Sequence, residues 1–268
     1  MTALLAGQIQ FAFVGPDPAV SAYVNDNQAV AIVSGVASGG ALFVVTNASG
    51  ITNATAPGGI STLNGGTFGA PALGNTQDVA LRTYISIHHV NDTTIDDTSD
   101  SNLLTLLVEN KIDGAWLPQP YASLALSEAQ AHIFLNEQSL WPGGNFSTTE
   151  LVVATSYLSA HADVVQKIVL ANVEETLWIN QHYSQAALDI NASIYQLSGL
   201  VLNTTVLNQA MSTLNFTYDP LISSVDQQAQ NAYVLGFLGN TEPNLTGLFD
   251  LTYLNNALTE LGLPTVSN

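Results

Sequence analysis

The stretch Ala70-Pro71-Ala72-Leu73-Gly74-Asn75-Thr76-Gln77-Asp78-Val79-Ala80-Leu81-Arg82 decides how this chain folds. It reads as the end of a strand, a tight turn at Gly74, and a helix opened by Asn75, Thr76, Gln77 and Asp78. Asn and Thr cap helices well, and Val79, Ala80 and Leu81 begin an apolar face. A helix start offers unpaired N–H groups and a partial positive charge, so an anion can settle there without a Lys or Arg. That matters in a chain whose only basic side chains are Arg82, Lys111 and Lys167. Taken alone, the segment fits an ordinary capped helix equally well.

Outward from this turn, the pattern is one of alternating strands and helices. An opening helix ends at Gly7, an apolar strand runs over 10–14, and a second helix starts at Ala19. The β-branched runs Ala29 to Ser34 and Ala41 to Thr46 read as buried strands. Residues 47–59 are polar and rich in turn formers. A strand over 66–70, a helix over 76–86, a loop rich in Asp and Thr at 91–101, a helix over 102–109 and a strand over 113–117 follow. This rhythm predicts a parallel sheet with helices on both faces. A further strand is expected at 151–154. Beyond Ala162 the pattern turns helical, with Val164, Val165, Ile168, Val169 and Val173 on one face and later helices near 184–197, 204–213, 219–235 and 250–261.

Bulk composition narrows the function. At 268 residues and 47% hydrophobic content the chain can bury one large core or two modest ones. No apolar run reaches the roughly 18 residues that a membrane helix needs. A formal charge of −18 argues against nucleic acid and anionic lipid as partners, since both require clustered cations. Only 9% of residues are charged, and Asn, Gln, Ser and Thr cover the surface instead. Depletion of cations suits a protein exposed to acid, where carboxylates protonate and dense cations repel one another. Loss of fold near pH 3 would count against that expectation.

Cysteine is absent, so disulfides and Cys-bound metals are excluded. Eight Asn-X-Ser/Thr triplets occur, at Asn47, Asn53, Asn91, Asn145, Asn191, Asn203, Asn215 and Asn244. The composition gives about four by chance, so the excess is mild and fits an extracellular chain.

Four further segments fall in a fixed order: Leu5-Ala-Gly-Gln-Ile-Gln-Phe-Ala-Phe-Val-Gly-Pro-Asp-Pro-Ala19, Gly114-Ala-Trp-Leu-Pro-Gln-Pro-Tyr-Ala-Ser123, Leu140-Trp-Pro-Gly-Gly144 and Thr148-Thr-Glu-Leu-Val-Val153. With the Gly74 turn they resemble the substrate-binding proteins of ABC importers for nitrate, sulfonate and taurine-type ligands, from about Thr2 to about Pro264. The resemblance implies an α/β, two-lobed, periplasmic-binding-protein-like (type II) fold with a helical C-terminal part. Lobe one is expected to comprise residues 1–46 and 150–268, lobe two residues 47–149, with the ligand in a cleft between hinged lobes. Such proteins begin with a signal peptide and a strand-helix-strand unit. This chain opens inside the helix that follows, so that first unit is expected to be missing. The implied partners are a small anionic ligand and the membrane permease and ATPase subunits of an importer, with the binding protein itself a monomer. The implied location is extracellular, at the cell surface or periplasmic.

Four loops are expected to converge on the ligand. Pro16 lies in Gly15-Pro16-Asp17-Pro18 after the first strand, where backbone amides can face a solute, or where the prolines simply rigidify a turn. Ser38 and Gly39 lie between two apolar strands and allow close backbone approach, or else form a hairpin turn. Asn75, Thr76 and Gln77 are the anion-binding helix start. Trp116 can floor a pocket for an apolar tail, and Gln119 can donate to an oxyanion, although Trp116 alone also fits a core position. Similar proteins often carry Glu where Gln119 stands, and the exchange removes a buried negative charge. Thr148 and its neighbour Thr149 add hydroxyls from the returning strand. Arg82, nearly two turns into its helix, is expected to pair with a nearby carboxylate rather than with the ligand.

A reactive constellation is not found. There is no Gly-X-Ser-X-Gly, no Gly-X-Gly-X-X-Gly and no Walker-type Gly-Lys-Ser/Thr. The adjacent His88 and His89 diverge on a helix, and Asp96, Asp97 and Asp100 lack calcium-loop spacing. No catalytic residue, metal or cofactor is expected. Two alternatives stay open: a pyrimidine-precursor protein of the thiamine-biosynthesis type on the same fold, or a fragment that binds nothing.

Overall fold

The structure, a computed structural model, describes residues 1–267. In chain order its elements are α1 (Thr2–Leu5), β1 (Phe11–Val14), α2 (Pro16–Asn25), β2 (Val30–Gly39), β3 (Ala41–Thr46), β4 (Thr67–Pro71), α3 (Thr76–Ile87), β5 (Thr94–Thr98), α4 (Asp100–Val108), β6 (Gly114–Pro118), α5 (Tyr121–Glu128) and β7 (Ala131–Asn136). The rest are β8 (Ser147–Ala154), α6 (Thr155–Ala160), α7 (Ala162–Gln181), α8 (Tyr183–Ser198), α9 (Thr204–Ser212), β9 (Leu214–Phe216), α10 (Ile222–Val234) and α11 (Thr252–Glu260). Two compact units result, the first of residues 1–38, 145–186 and 215–268, the second of residues 39–144 and 187–214.

In the first unit the strand order is β1-β8-β2-β9, with β8 antiparallel to both β1 and β2. Apolar runs explain the core. Ala31 and Val33 of β2 and Leu151 and Val153 of β8 pack against Val165, Val169 and Val173, spaced one turn apart on α7, and against Leu254, Ala257 and Leu258 of α11. That i, i+4 spacing makes one buried stripe. Ile168, expected on the same stripe, is exposed instead.

In the second unit the order is β5-β4-β6-β3-β7. The sheet is mixed rather than wholly parallel as the rhythm predicted. Only β4, β5 and β6 are parallel, because only they are joined by the crossover helices α3 and α4. β3 enters from the other sheet and runs antiparallel to β6 and β7. Every residue of β3 is buried, as expected for a strand covered on both faces. On one side Leu42 and Val44 meet Leu103 and Leu107 of α4 and Ala122 and Ala125 of α5. On the other side Phe43 stacks on Trp116, ring centroids 5.4 Å apart, and meets Phe68 and Phe134 edge-on.

Two connections differ from their expected form. Ser38-Gly39-Gly40 is no hairpin: β2 and β3 lie in different sheets, and this tripeptide carries the chain from one to the other. The region 94–98, expected as loop, is the edge strand β5, held by parallel pairing with β4 despite its two Asp residues.

Candidate ligand-binding site at the start of α3

The parallel neighbours β4 and β6 end on the same edge of their sheet. A helix follows each of them there, α3 after the Ala72–Asn75 turn and α5 after Gln119-Pro120. The carboxyl edge of parallel strands is where open α/β sheets hold ligands.

At α3 the local chemistry is well defined. Gly74 takes a positive φ of 74°, which closes the turn. Asn75 is the N-cap, and its Oδ1 accepts from the Asp78 N–H at 3.0 Å. Asp78 Oδ2 accepts from the Gly74 N–H at 2.8 Å, while the Asn75 N–H donates to the Ala72 carbonyl. The N–H groups of Thr76 and Gln77 remain, with no acceptor among the described residues. Thr76 is 4% exposed and Gln77 7%, so these donors sit in a buried environment. The Thr76 hydroxyl is itself buried without a hydrogen-bond partner. A buried donor left unpaired is costly, and such groups are rare without a ligand or water to satisfy them.

The same holds one helix away. Ser123, in the first turn of α5 and fully buried, has a hydroxyl without a partner. Sequence reasoning missed it, because a Ser near a helix start usually caps, whereas here Gln119 Oε1 takes the Ser123 N–H at 3.1 Å. Two orphan hydroxyls thus lie on helices that follow adjacent parallel strands.

Arg82, the cation on α3, is committed to two carboxylates. Arg82 Nε meets Asp78 Oδ1 at 2.6 Å, and its Nη2 meets Asp97 Oδ2 at 2.8 Å. Burial pushes the Asp78 carboxyl above its ordinary range, the Gly74 N–H and Arg82 pull it down, and Asp97 pushes it up again. Arg82 is the internal counterion of this pair, as expected.

The remaining candidates hold structural bonds. Trp116 is wholly buried in the aromatic core, and its indole N–H donates to Glu137 Oε2 at 2.6 Å. Gln119 spends one amide proton on Thr213 Oγ1 at 3.1 Å besides capping α5. Gly39, at φ 77°, has room for no side chain, since a Cβ there would lie 2.6 Å from the Thr213 carbonyl. In the first unit, Ser38 accepts the Phe146 N–H at 3.3 Å, and Thr148 donates to the Ala37 carbonyl at 3.1 Å. Pro16 occupies the first turn of α2, buried and without a donor to offer. Among the described residues no group of three His, Cys, Asp or Glu side chains is placed to hold a metal ion.

A profile of the NMT1-like family matches residues 1–194. The chain belongs to the NMT1-like family. No curated protein matches it by sequence. Solved structures do match by fold. The periplasmic nitrate-binding protein of Synechocystis PCC 6803 aligns with a TM-score of 0.81 at 10% identity, over 98% of this chain and 78% of that one. The ligand-binding component of an ABC-type import system from Staphylococcus aureus, with zinc bound, gives 0.78 at 15% identity, over 96% and 84%. The alkanesulfonate-binding protein of Xanthomonas axonopodis pv. citri bound to MOPS gives 0.73 at 16%, over 93% and 83%. The α/β substrate-binding-protein fold expected from the sequence is thus the one observed.

Proposed function

We propose that this member of the NMT1-like family is the extracellular solute-binding component of an ABC importer for a small anion such as an alkanesulfonate, taurine or nitrate. One observation carries the reading: the buried, unpartnered Thr76 hydroxyl beside the free N–H groups of Thr76 and Gln77 at the start of α3. Those donors suit an oxyanion in a chain whose Arg82 is committed to two carboxylates. The orphan Ser123 hydroxyl at the start of α5 adds a fourth donor. The binding proteins of known anions with which the chain shares its fold support the ligand class. On this reading the protein binds without covalent chemistry, works as a monomer, and hands its solute to a permease whose separate ATPase subunit supplies the energy. Lobes that move on binding, as the family resemblance implies, belong to the proposal.

Calorimetric titration with taurine, a short alkanesulfonate, nitrate and a pyrimidine tests it. Heat from one of the anions, with an affinity that Thr76→Val lowers about tenfold or more, is the expected result. Heat from the pyrimidine alone, or silence from every solute, overturns it.

A further inference from the structure

The eight Asn-X-Ser/Thr triplets are not equivalent once folded, and the differences select two of them. A transferase that glycosylates asparagine must take the amide Nδ2 and the hydroxyl two residues on into one site, so the triplet has to be exposed and outside regular structure. Asn191 fails this requirement. It lies within α8, its Nδ2 donates to the Leu202 carbonyl at 3.1 Å, and its Oδ1 is buried. The triplet at Asn145 fails through its serine, because Ser147 is 2% exposed and its hydroxyl is bonded to buried Glu150. Asn215 is part of β9, and Thr205 of the Asn203 triplet is inside α9. At Asn47 the Ser49 hydroxyl is spent on the Thr46 carbonyl at 2.7 Å. Asn91 is exposed, but Thr93 of its triplet is half-buried and Asp92 between them is held at φ 57°.

Asn53 and Asn244 behave differently. In Asn53-Ala54-Thr55 the Thr55 hydroxyl donates to Asn53 Oδ1 at 3.0 Å, so amide and hydroxyl already face each other in an exposed turn. In Asn244-Leu245-Thr246 the bond comes from the backbone instead, the Thr246 N–H donating to Asn244 Oδ1 at 3.0 Å, in an exposed loop outside the helices. In both cases the Oδ1 is occupied, and the exposed Nδ2 has no acceptor among the described residues. Asn244 also borders a cavity of about 540 Å³, shared with Gln230, Glu242 and Phe249. Polar groups beside an aromatic face give an innermost sugar something to lie on.

We infer that Asn53 and Asn244 are N-glycan acceptors in the folded protein, one on each unit, and that Asn191 and Asn145 are not. The donor is an oligosaccharide carried on a polyprenyl diphosphate. Nδ2 attacks C1 of the innermost sugar, the new C–N bond forms as the C–O bond to the diphosphate breaks, and the amide loses one proton to the released polyprenyl diphosphate. No oxidation or reduction is involved.

The test uses the purified, folded chain with a single-subunit oligosaccharyltransferase and a polyprenyl-diphosphate-linked oligosaccharide. Enzymatic glycan release in H₂¹⁸O then marks each occupied asparagine as labelled aspartate, read peptide by peptide. Label at Asn53 and Asn244, lost in Thr55→Val and Asn244→Gln respectively, with none at Asn191 until the chain is unfolded in urea, is the expected result. Absence of label at Asn53 and Asn244 while a free sequon peptide is modified overturns the inference, as does label at Asn191 in the folded chain. Modification in the cell rests on the export proposed above. The reaction on purified protein does not, so its failure is distinguishable from silence in the anion titration.

Discussion

Replacing Glu137 by Gln should make this protein more stable at neutral pH and leave it nearly unchanged in acid. Glu137 is 2% exposed, and its carboxylate meets two indole N–H donors, Trp116 at 2.6 Å and Trp141 at 3.4 Å. Burial pushes its carboxyl up to about 7 from 4.5, against the smaller downward pull of the two indoles. Between those two values the folded state holds a proton that the unfolded state releases. Stability is then fully present below pH 4.5 and declines as pH climbs through 7. A rise from 4.5 to about 7 corresponds to ~3 kcal/mol at this one site. Gln keeps the acceptor for Trp116 and cannot ionise. Urea unfolding at pH 4, 6 and 8, followed by circular dichroism, should show the wild type losing stability across the series and E137Q losing ~3 kcal/mol less of it. Parallel curves for the two proteins would refute the reasoning. The other carboxylates with a resolved displacement, Asp78, Asp100, Glu150 and Asp226, are all pushed upward, chiefly by burial, so they act with the same sign.

Three further outcomes are expected. Thr76→Val removes a hydroxyl that has no partner, so thermal unfolding should shift little while calorimetry shows anion affinity falling about tenfold or more, the loss of one buried hydrogen bond to a charge. Asn75→Ala deletes the cap on the Asp78 N–H and should cost about 1 kcal/mol in urea unfolding without altering the m-value. Gly35→Ala places a Cβ 2.9 Å from Pro220 N and against the Asp219 carbonyl, both backbone atoms, so a loss of about 3 kcal/mol is expected, read as a lowered unfolding midpoint.

What the sequence made legible was local. The cap at Asn75, the run of α3 and the valine stripe of α7 depend on neighbours within a few residues, and each formed where its pattern predicted. The Arg82 pairing was legible for the same reason, since Asp78 lies one turn away on α3. What escaped depends on distant partners. β5 is a strand because β4 lies beside it, against the preference of its Asp residues. β3 leaves the first sheet for the second, and residues 187–214 join the second unit, where Thr213 accepts from the Gly40 N–H at 2.9 Å. The resemblance implied a lobe boundary at Asn47, and the compact units divide between Ser38 and Gly39. At the candidate site Thr76 was legible from the helix start. The burial of Trp116 against Phe43 and the orphaned hydroxyl of Ser123 both required the sheet to be assembled first.

The proposed donors leave the pH dependence of binding to a neighbouring carboxylate. N–H and hydroxyl groups do not titrate in the ordinary pH range, and sulfonate and nitrate stay ionised in acid, so falling pH removes neither side of the interaction. What does change is Asp78, in the first turn of α3 and two residues from Thr76, with a carboxyl held above its ordinary range by burial. While ionised it is a like charge beside the bound anion, only partly offset by Arg82 at 2.6 Å. Its protonation removes a repulsion worth about 1 kcal/mol at high effective dielectric, or roughly five- to tenfold in affinity. Binding of a sulfonate should therefore tighten as pH falls from 7 to 4. Asp78→Asn should abolish that dependence while keeping the acceptor for the Gly74 N–H. Calorimetry at the two pH values decides the matter: a Kd that is constant, or that weakens in acid, means the anion does not rest at the start of α3.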